Sequence, residues 1–237
     1  MGRTGAASRC EGCMGTRSGR CQAGAGGMTA SALTDFQIEV AHLFFGLDAS
    51  DGYVVAGGAA LIASDLIDRP TQDLDLFASA PVDSVIMARD SFLAAVNDRG
   101  WRTELIHDAP AFCRLVVTGD GDEVLVDLGL DSPPAAAPTV TVLGPTVAPL
   151  ELAGRKLLAL FGRAEIRDFS DVFQLAQRFG KDALIAEATT ADPGFDPKVL
   201  AQMMTTLDRF TDTEFPSADE DIPRIRAFFA HWSDELR

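Results

Sequence analysis

Apolar residues recur with a helical period from Leu33 to Leu47, at Phe36, Val40, Leu43, Phe44 and Leu47, and Thr34 or Asp35 can cap this segment. The period then shortens. Tyr53 to Ala56 reads as an apolar strand, Gly57-Gly58 as a turn into a short helix, and Asp73 to Phe77 as a second strand. Strand residues two apart share a face, so Asp73 and Asp75 aim to one side while Leu74 and Leu76 face the core. Residues 82–100 read as a helix with Val85, Ile86, Phe92, Leu93 and Val96 on one stripe and Gly100 at its end. Three strand patterns follow at 101–106, 112–118 and 123–130, the last two joined as a hairpin through Gly119-Asp120-Gly121-Asp122. Residues 131–149 hold five prolines and read as a linker with little regular structure. From Leu150 the pattern is helical to the end, with segments at 150–163, 166–179, 181–189, 197–210 and 222–236. The chain thus divides near residue 145 into a mixed α/β half and an all-helical half.

Composition narrows this picture. At 237 residues, 47% hydrophobic and 23% charged, the chain suits a soluble globular protein of one large or two small domains. The apolar run from Val54 to Ala63 is about half of a membrane span. Residues 1–27 lack the apolar core of a signal peptide and read as a disordered leader, or as sequence upstream of a start at Met28. Beyond them the chain carries 16 basic and 34 acidic residues, a net charge of −18. A globally basic surface for nucleic acid is therefore excluded, and any such binding rests on a local patch. Cys10, Cys13 and Cys21 form C-x-x-C plus one, short of a zinc ligand set, since the nearest histidine, His42, falls in a helical stripe as a partly buried, satisfied side chain. Cys113 reads as a small buried hydrophobe, and no cysteine pattern asks for an oxidising compartment, so a cytoplasmic location is expected.

The chemistry concentrates in a few residues. Asp73 and Asp75 repel each other unless a cation lies between them, which suits a divalent metal. Asp127, inside VLVDLGL, is costly to bury unless it is paired or holds a cation; the alternative is a strand-end Asp bonded to nearby backbone. Gly57 and Gly58 let backbone N–H groups approach a phosphate at a helix start, or simply permit tight packing; neither the dinucleotide spacing nor a P-loop is present. Lys156 lies at the margin of an apolar helix sector, either positioned there or snorkelling to solvent. Asp168 and Asp171 share a helix face, where Asp168 could instead be an N-cap with Asp171 in the first turn. Arg69 and Arg114 either neutralise a triphosphate or are surface arginines.

GGAALIASDLIDRPTQDLDLF, then VLVDL, then LELAGRKLLALFGRAEIRDFSDVFQL resemble, in this order, the AbiEii/AbiGii-type nucleotidyltransferases. These belong to the polymerase-β-like superfamily and include the MenT-like toxins of toxin–antitoxin pairs. The similarity covers Tyr53 to Leu175, about half the chain. It implies an α+β fold: a polymerase-β-like mixed sheet with flanking helices over residues 28–145, then an all-helical part over 146–237. It implies that Asp73 and Asp75 hold Mg²⁺ (or Mn²⁺), that Asp127 is the third metal carboxylate, and that Lys156 contacts the triphosphate. Asp171, closing the R-D-x-x-D segment that starts at Arg167-Asp168, is implied to be needed for activity. Gly57, Gly58 and Arg69 join Lys156 as expected nucleotide-binding residues. Ala59 departs from the Thr or Ser frequent in the family and removes a hydroxyl. The implied reaction is transfer of NMP from NTP to an RNA acceptor, foremost the 3′ end of tRNA, which blocks translation. The implied partner is a cognate antitoxin, which in some relatives phosphorylates a hydroxyl residue at the position of Thr71. Two alternatives stand beside this reading: nucleotidylation of a cationic small molecule such as an aminoglycoside, which the acidic balance suits, and a non-catalytic nucleotide-binding module. Sugar-nucleotide transferases and D-x-D hydrolases are disfavoured because Pro70-Thr71-Gln72 precedes Asp73 where they place an apolar strand, and because Phe77 stands where the hydrolase motif wants Thr or Val.

Overall fold

The computed structural model describes residues 32–79, 81–119, 121–216 and 221–237. The leader and its C-x-x-C lie outside these residues. In chain order the elements are α1 (Asp35–Phe45), β1 (Tyr53–Ala56), α2 (Gly57–Ala63), β2 (Asp73–Ala78), α3 (Ile86–Asp98), β3 (Arg102–Ala109), β4 (Phe112–Gly119), β5 (Asp122–Leu130), β6 (Thr139–Thr141), β7 (Gly144–Thr146), α4 (Pro149–Gly162), α5 (Ile166–Phe179), α6 (Lys181–Ala191), α7 (Pro197–Met204) and α8 (Ile222–Glu235). The strands form one mixed sheet in the order β3-β4-β5-β2-β1-β7-β6. The pairs β2–β5 and β1–β7 run parallel and the other pairs antiparallel. This is the expected α+β class, and the helical segments from residue 149 onward, the end of α7 apart, lie within two residues of their predicted bounds.

Local chemistry explains the elements that frame the site. Thr34 caps α1 and exchanges hydrogen bonds with Gln37 in a capping box. The Gln37 amide then donates to the Thr71 carbonyl at 2.8 Å, which ties α1 to the segment leading into β2. Burial alternates residue by residue along β2, with Leu74 and Leu76 fully buried. Beneath the sheet Phe44 meets Tyr53 and Phe92 edge-on, joining α1, β1 and α3. A second aromatic cluster, Phe169, Phe229 and Trp232, joins α5 to α8. Gly154 lets α4 approach α6 closely, since a Cβ there would lie 2.4 Å from the Glu187 Cβ.

Three expectations are corrected. The proline-rich stretch is not irregular throughout: it holds β6 and β7, and Val55 of β1 pairs in parallel with Thr146. Three-residue strands are too short to show a period, and what holds them is the hydroxyl pair Thr141–Thr146 at 2.9 Å, with Thr146 fully buried. His42 is satisfied but exposed; its Nε2 lies 2.7 Å from the Val142 carbonyl and braces the β6–β7 turn. The helix expected from residue 82 starts at Ile86, and the one expected to reach residue 210 ends at Met204 in a 3₁₀ turn. Cys113 is buried as expected, and burial pushes its thiol up to about 11. Among the described residues no helix is long and apolar enough to cross a membrane.

Candidate active site

Strand register assembles the carboxylates. Parallel pairing of β2 with β5 sets Asp75 directly opposite Asp127, and antiparallel pairing of β4 with β5 sets Arg114 opposite Asp127 on its other side. Residues paired across neighbouring strands share a face, so Asp73, Asp75, Asp127 and Arg114 lie together on one side of the sheet. Phe77 opposite Gly129 forms the next row, and a Cβ on Gly129 would lie 2.8 Å from the Phe77 ring.

The electrostatics of this face are uneven. Asp127 is 5% exposed, and both its oxygens accept from Arg114, Nε at 2.7 Å and Nη2 at 2.6 Å. This bond raises the Arg114 guanidinium further above its usual range. Asp75 is pushed from its ordinary 3.8 up to about 6, by burial first and then by the charges of Asp127 and Asp73. The Asp73 side chain is more open, with Arg167 Nη1 at 4.0 Å.

Glycine at the start of α2 makes room for this cluster. Gly57 sits at φ +63°, and a Cβ there would fall 1.7 Å from Asp75 Oδ2. The carboxylate occupies the volume that any other side chain would claim. A Cβ on Gly58 would lie 3.1 Å from Thr71 Oγ1 and 3.8 Å from Arg69 Nη2, so the Gly-Gly turn, Arg69, Thr71 and Asp75 are neighbours.

Behind the turn lies a buried ionic network. Asp168 and Asp171 on α5 are fully buried. Arg69 binds Asp171 with Nε at 2.7 Å and Nη2 at 2.6 Å. Lys156 on α4, 8% exposed, places Nζ 3.0 Å from Asp171 Oδ2 and 3.3 Å from Asp168 Oδ1. Arg163 completes the network on Asp168 at 2.9 and 3.1 Å. Burial alone would raise Asp168, but the Arg163 bonds and the Lys156 charge outweigh it and hold the carboxyl below its usual range. Lys156 therefore does not snorkel to solvent. Nor is Asp168 the N-cap of α5: Glu165 holds that place, and Asp168 accepts from its backbone N–H at 3.2 Å.

The structure thus gathers Gly57, Gly58, Arg69, Thr71, Asp73, Asp75 and Asp127 around one end of β2, and links Lys156 and Asp171 to them through Arg69. Lys156, Gly57 and Phe77 also line a cleft of about 380 Å³ between the sheet and helices α4 and α6, with Leu61, Leu152 and Glu187 on its walls. Sequence reasoning missed Arg163, whose partner Asp168 lies across the α4–α5 turn where helical spacing rules do not reach. It also left Arg114 without its partner, because strand register is not written in either strand alone.

The donors on the sheet face are all carboxylate oxygens, which fits a hard divalent cation, and such an ion would relieve the repulsion that adds to burial in lifting Asp75. Among the described residues, however, no three acidic, histidine or cysteine side chains already converge as a cage. Arg114 takes both oxygens of Asp127.

A family model described as "Nucleotidyl transferase AbiEii toxin, Type IV TA system" matches residues 45–236. Two crystal structures from Helicobacter pylori share the fold. JHP933 is 18% identical with a TM-score of 0.50, covering 86% of this chain and 94% of its own. A protein assigned as a nucleotidyltransferase is 17% identical with a TM-score of 0.51, covering 86% of this chain and 97% of its own. No curated protein matches the chain.

Proposed function

This chain belongs to the AbiEii family of nucleotidyl transferase toxins, and we propose that it transfers a nucleoside monophosphate from an NTP to the 3′ end of tRNA in the cytoplasm. The observation that carries this reading is the parallel register of β2 with β5, which puts Asp75 beside Asp127 with Asp73 on the same face. Asp73, Asp75 and Asp127 would hold divalent cation, Mg²⁺ or Mn²⁺. Such an ion supplies charge neutralisation at the triphosphate and an acidified acceptor hydroxyl.

The remaining work falls to the chain itself. The acceptor hydroxyl oxygen bonds to the α-phosphorus as the bond to the pyrophosphate oxygen breaks, and the hydroxyl proton leaves to solvent. Gly57 leaves room for the Asp75 carboxylate, and Gly58 leaves the turn open beside Thr71 and Arg69 for the phosphates. Lys156 sits in the cleft wall as a buried cation, and Asp171 and Asp168 fix its ammonium in place for the triphosphate. Arg114, Arg163 and Arg167, with side chains 42%, 49% and 45% exposed, are each paired with at least one acidic side chain of the site or its neighbourhood. Thr71 beside Gly58 and Arg69 is the place where an antitoxin's phosphoryl group would block NTP entry, seen as a mass increase at Thr71 in the inactive co-expressed protein.

Incubation with each labelled NTP and total tRNA, or an aminoglycoside, tests the reading. Label is expected on tRNA and absent from Asp75→Ala protein. Full activity in that variant would remove the metal role of the D-x-D pair.

A further inference from the structure

Asp127 is the one member of the carboxylate set that is already fully partnered. At 5% exposure a lone carboxylate is costly, so Asp127 requires a cation at all times. Arg114 meets that need by filling both oxygens through a planar, bidentate fork. An ion on Asp127 would sit against this guanidinium, and two cations on one carboxylate repel, so guanidinium and metal compete there.

The two partners of this pair are unequal in their freedom. The Arg114 side chain is 42% exposed while that of Asp127 is 7% exposed. Arg114 can therefore swing outward into solvent once another cation takes its place, whereas Asp127 stays in the sheet. Arg69 offers the contrast: its side chain is 10% exposed and clamped on a fully buried Asp171, so it has nowhere to go. A guanidinium leaving Asp127 remains on the face that holds Asp73 and Asp75, with its five N–H donors free for phosphate oxygens.

We infer that Arg114 is a stand-in cation at Asp127, displaced when a divalent ion binds and handed to the phosphates of the incoming nucleotide. The inference rests on the nucleotidyl-transfer reading and adds an order to it: the protein favours metal and nucleotide arriving together, because free metal alone leaves Arg114 without an anion. Arg114 is then a positioning residue for the third carboxylate before it is a ligand for substrate.

The test measures Mn²⁺ binding to the full chain by electron paramagnetic resonance, without nucleotide, alongside the KM for NTP. Arg114→Gln removes the competing charge and keeps a polar side chain on a shorter aliphatic stem. It is expected to bind Mn²⁺ about five- to tenfold more tightly than wild type while raising the KM for NTP by a similar factor. The Mn²⁺ gain should vanish when Arg114→Gln is placed in an Asp127→Asn background. Arg114→Lys, which keeps charge without the fork, should fall between, and it serves if the glutamine variant melts early. Unchanged or weaker Mn²⁺ binding in Arg114→Gln would overturn the proposal, as would a gain that persists without Asp127. Asp75→Asn tells the two readings apart: unaltered Mn²⁺ binding there would remove the metal site itself, whereas its loss leaves Arg114→Gln to decide alone.

Discussion

Replacing Gly57 by alanine tests the contact on which the site geometry turns. The added Cβ would stand 1.7 Å from Asp75 Oδ2, and Cβ atoms do not approach a neighbour closer than 3.0 Å. The carboxylate must therefore retreat by at least about 1.3 Å, or α2 must shift by as much; a displacement near 1 Å in a reacting constellation costs roughly 10²-fold in rate. A hundredfold loss corresponds to about 2.7 kcal/mol of transition-state stabilisation. The backbone at φ +63° adds a folding penalty of about 1–2 kcal/mol for any L side chain. For a domain near 200 residues that lowers Tm by roughly 2–8 °C. Gly57→Ala should thus melt as a folded protein with a modestly reduced Tm and about 1% of the wild-type nucleotidyl transfer. Gly58→Ala is the comparison, because its Cβ would meet the Thr71 hydroxyl at 3.1 Å and requires no unusual φ. Its loss should stay below about tenfold. If Gly57→Ala transfers label within about threefold of wild type, the argument that Asp75 must fill that space is wrong.

Two further predictions concern buried charge. Asp171→Asn leaves Arg69 and Lys156 short of their shared carboxylate and should cost about 3–5 kcal/mol in urea unfolding, whereas Lys156→Met leaves each aspartate its own arginine and should cost less than half as much while still abolishing transfer. Metal-free protein should lose stability as pH rises from about 4 through 6: Asp75 holds its proton up to about 6 when folded but only to its ordinary 3.8 when unfolded, so the folded state is favoured below that window and the advantage is gone above it. The change is of order 1–3 kcal/mol, and Asp75→Asn should flatten it and stabilise the protein at pH 7; a wild-type slope in that variant would refute the assignment.

The sheet-face carboxylates were legible because a period of two is local: DLDLF states its own inward and outward faces. The helices were legible for the same reason, through periodic apolar stripes. The strands β6 and β7 were not, since three residues carry no period and their pairing depends on Thr146 finding Val55 far back in the chain. Which cation meets which carboxylate was equally hidden. Arg114 finds Asp127 only through hairpin register, and Arg69 finds Asp171 only once α5 has docked beside the segment before β2.

That last pairing bears on how the gene can be cut and recombined. Arg69 precedes the D-x-D strand and Asp171 lies on the helical side, 102 residues later, yet they share one charge network. A chimera that joins residues 32–146 to another relative's helices keeps this pair only if the donor's helix docks its own carboxylate where Asp171 stands. Swaps made at residue 147 should succeed only when the donor supplies an acidic residue at the place of Asp171, and compensating changes in such hybrids should accumulate at Arg69 first.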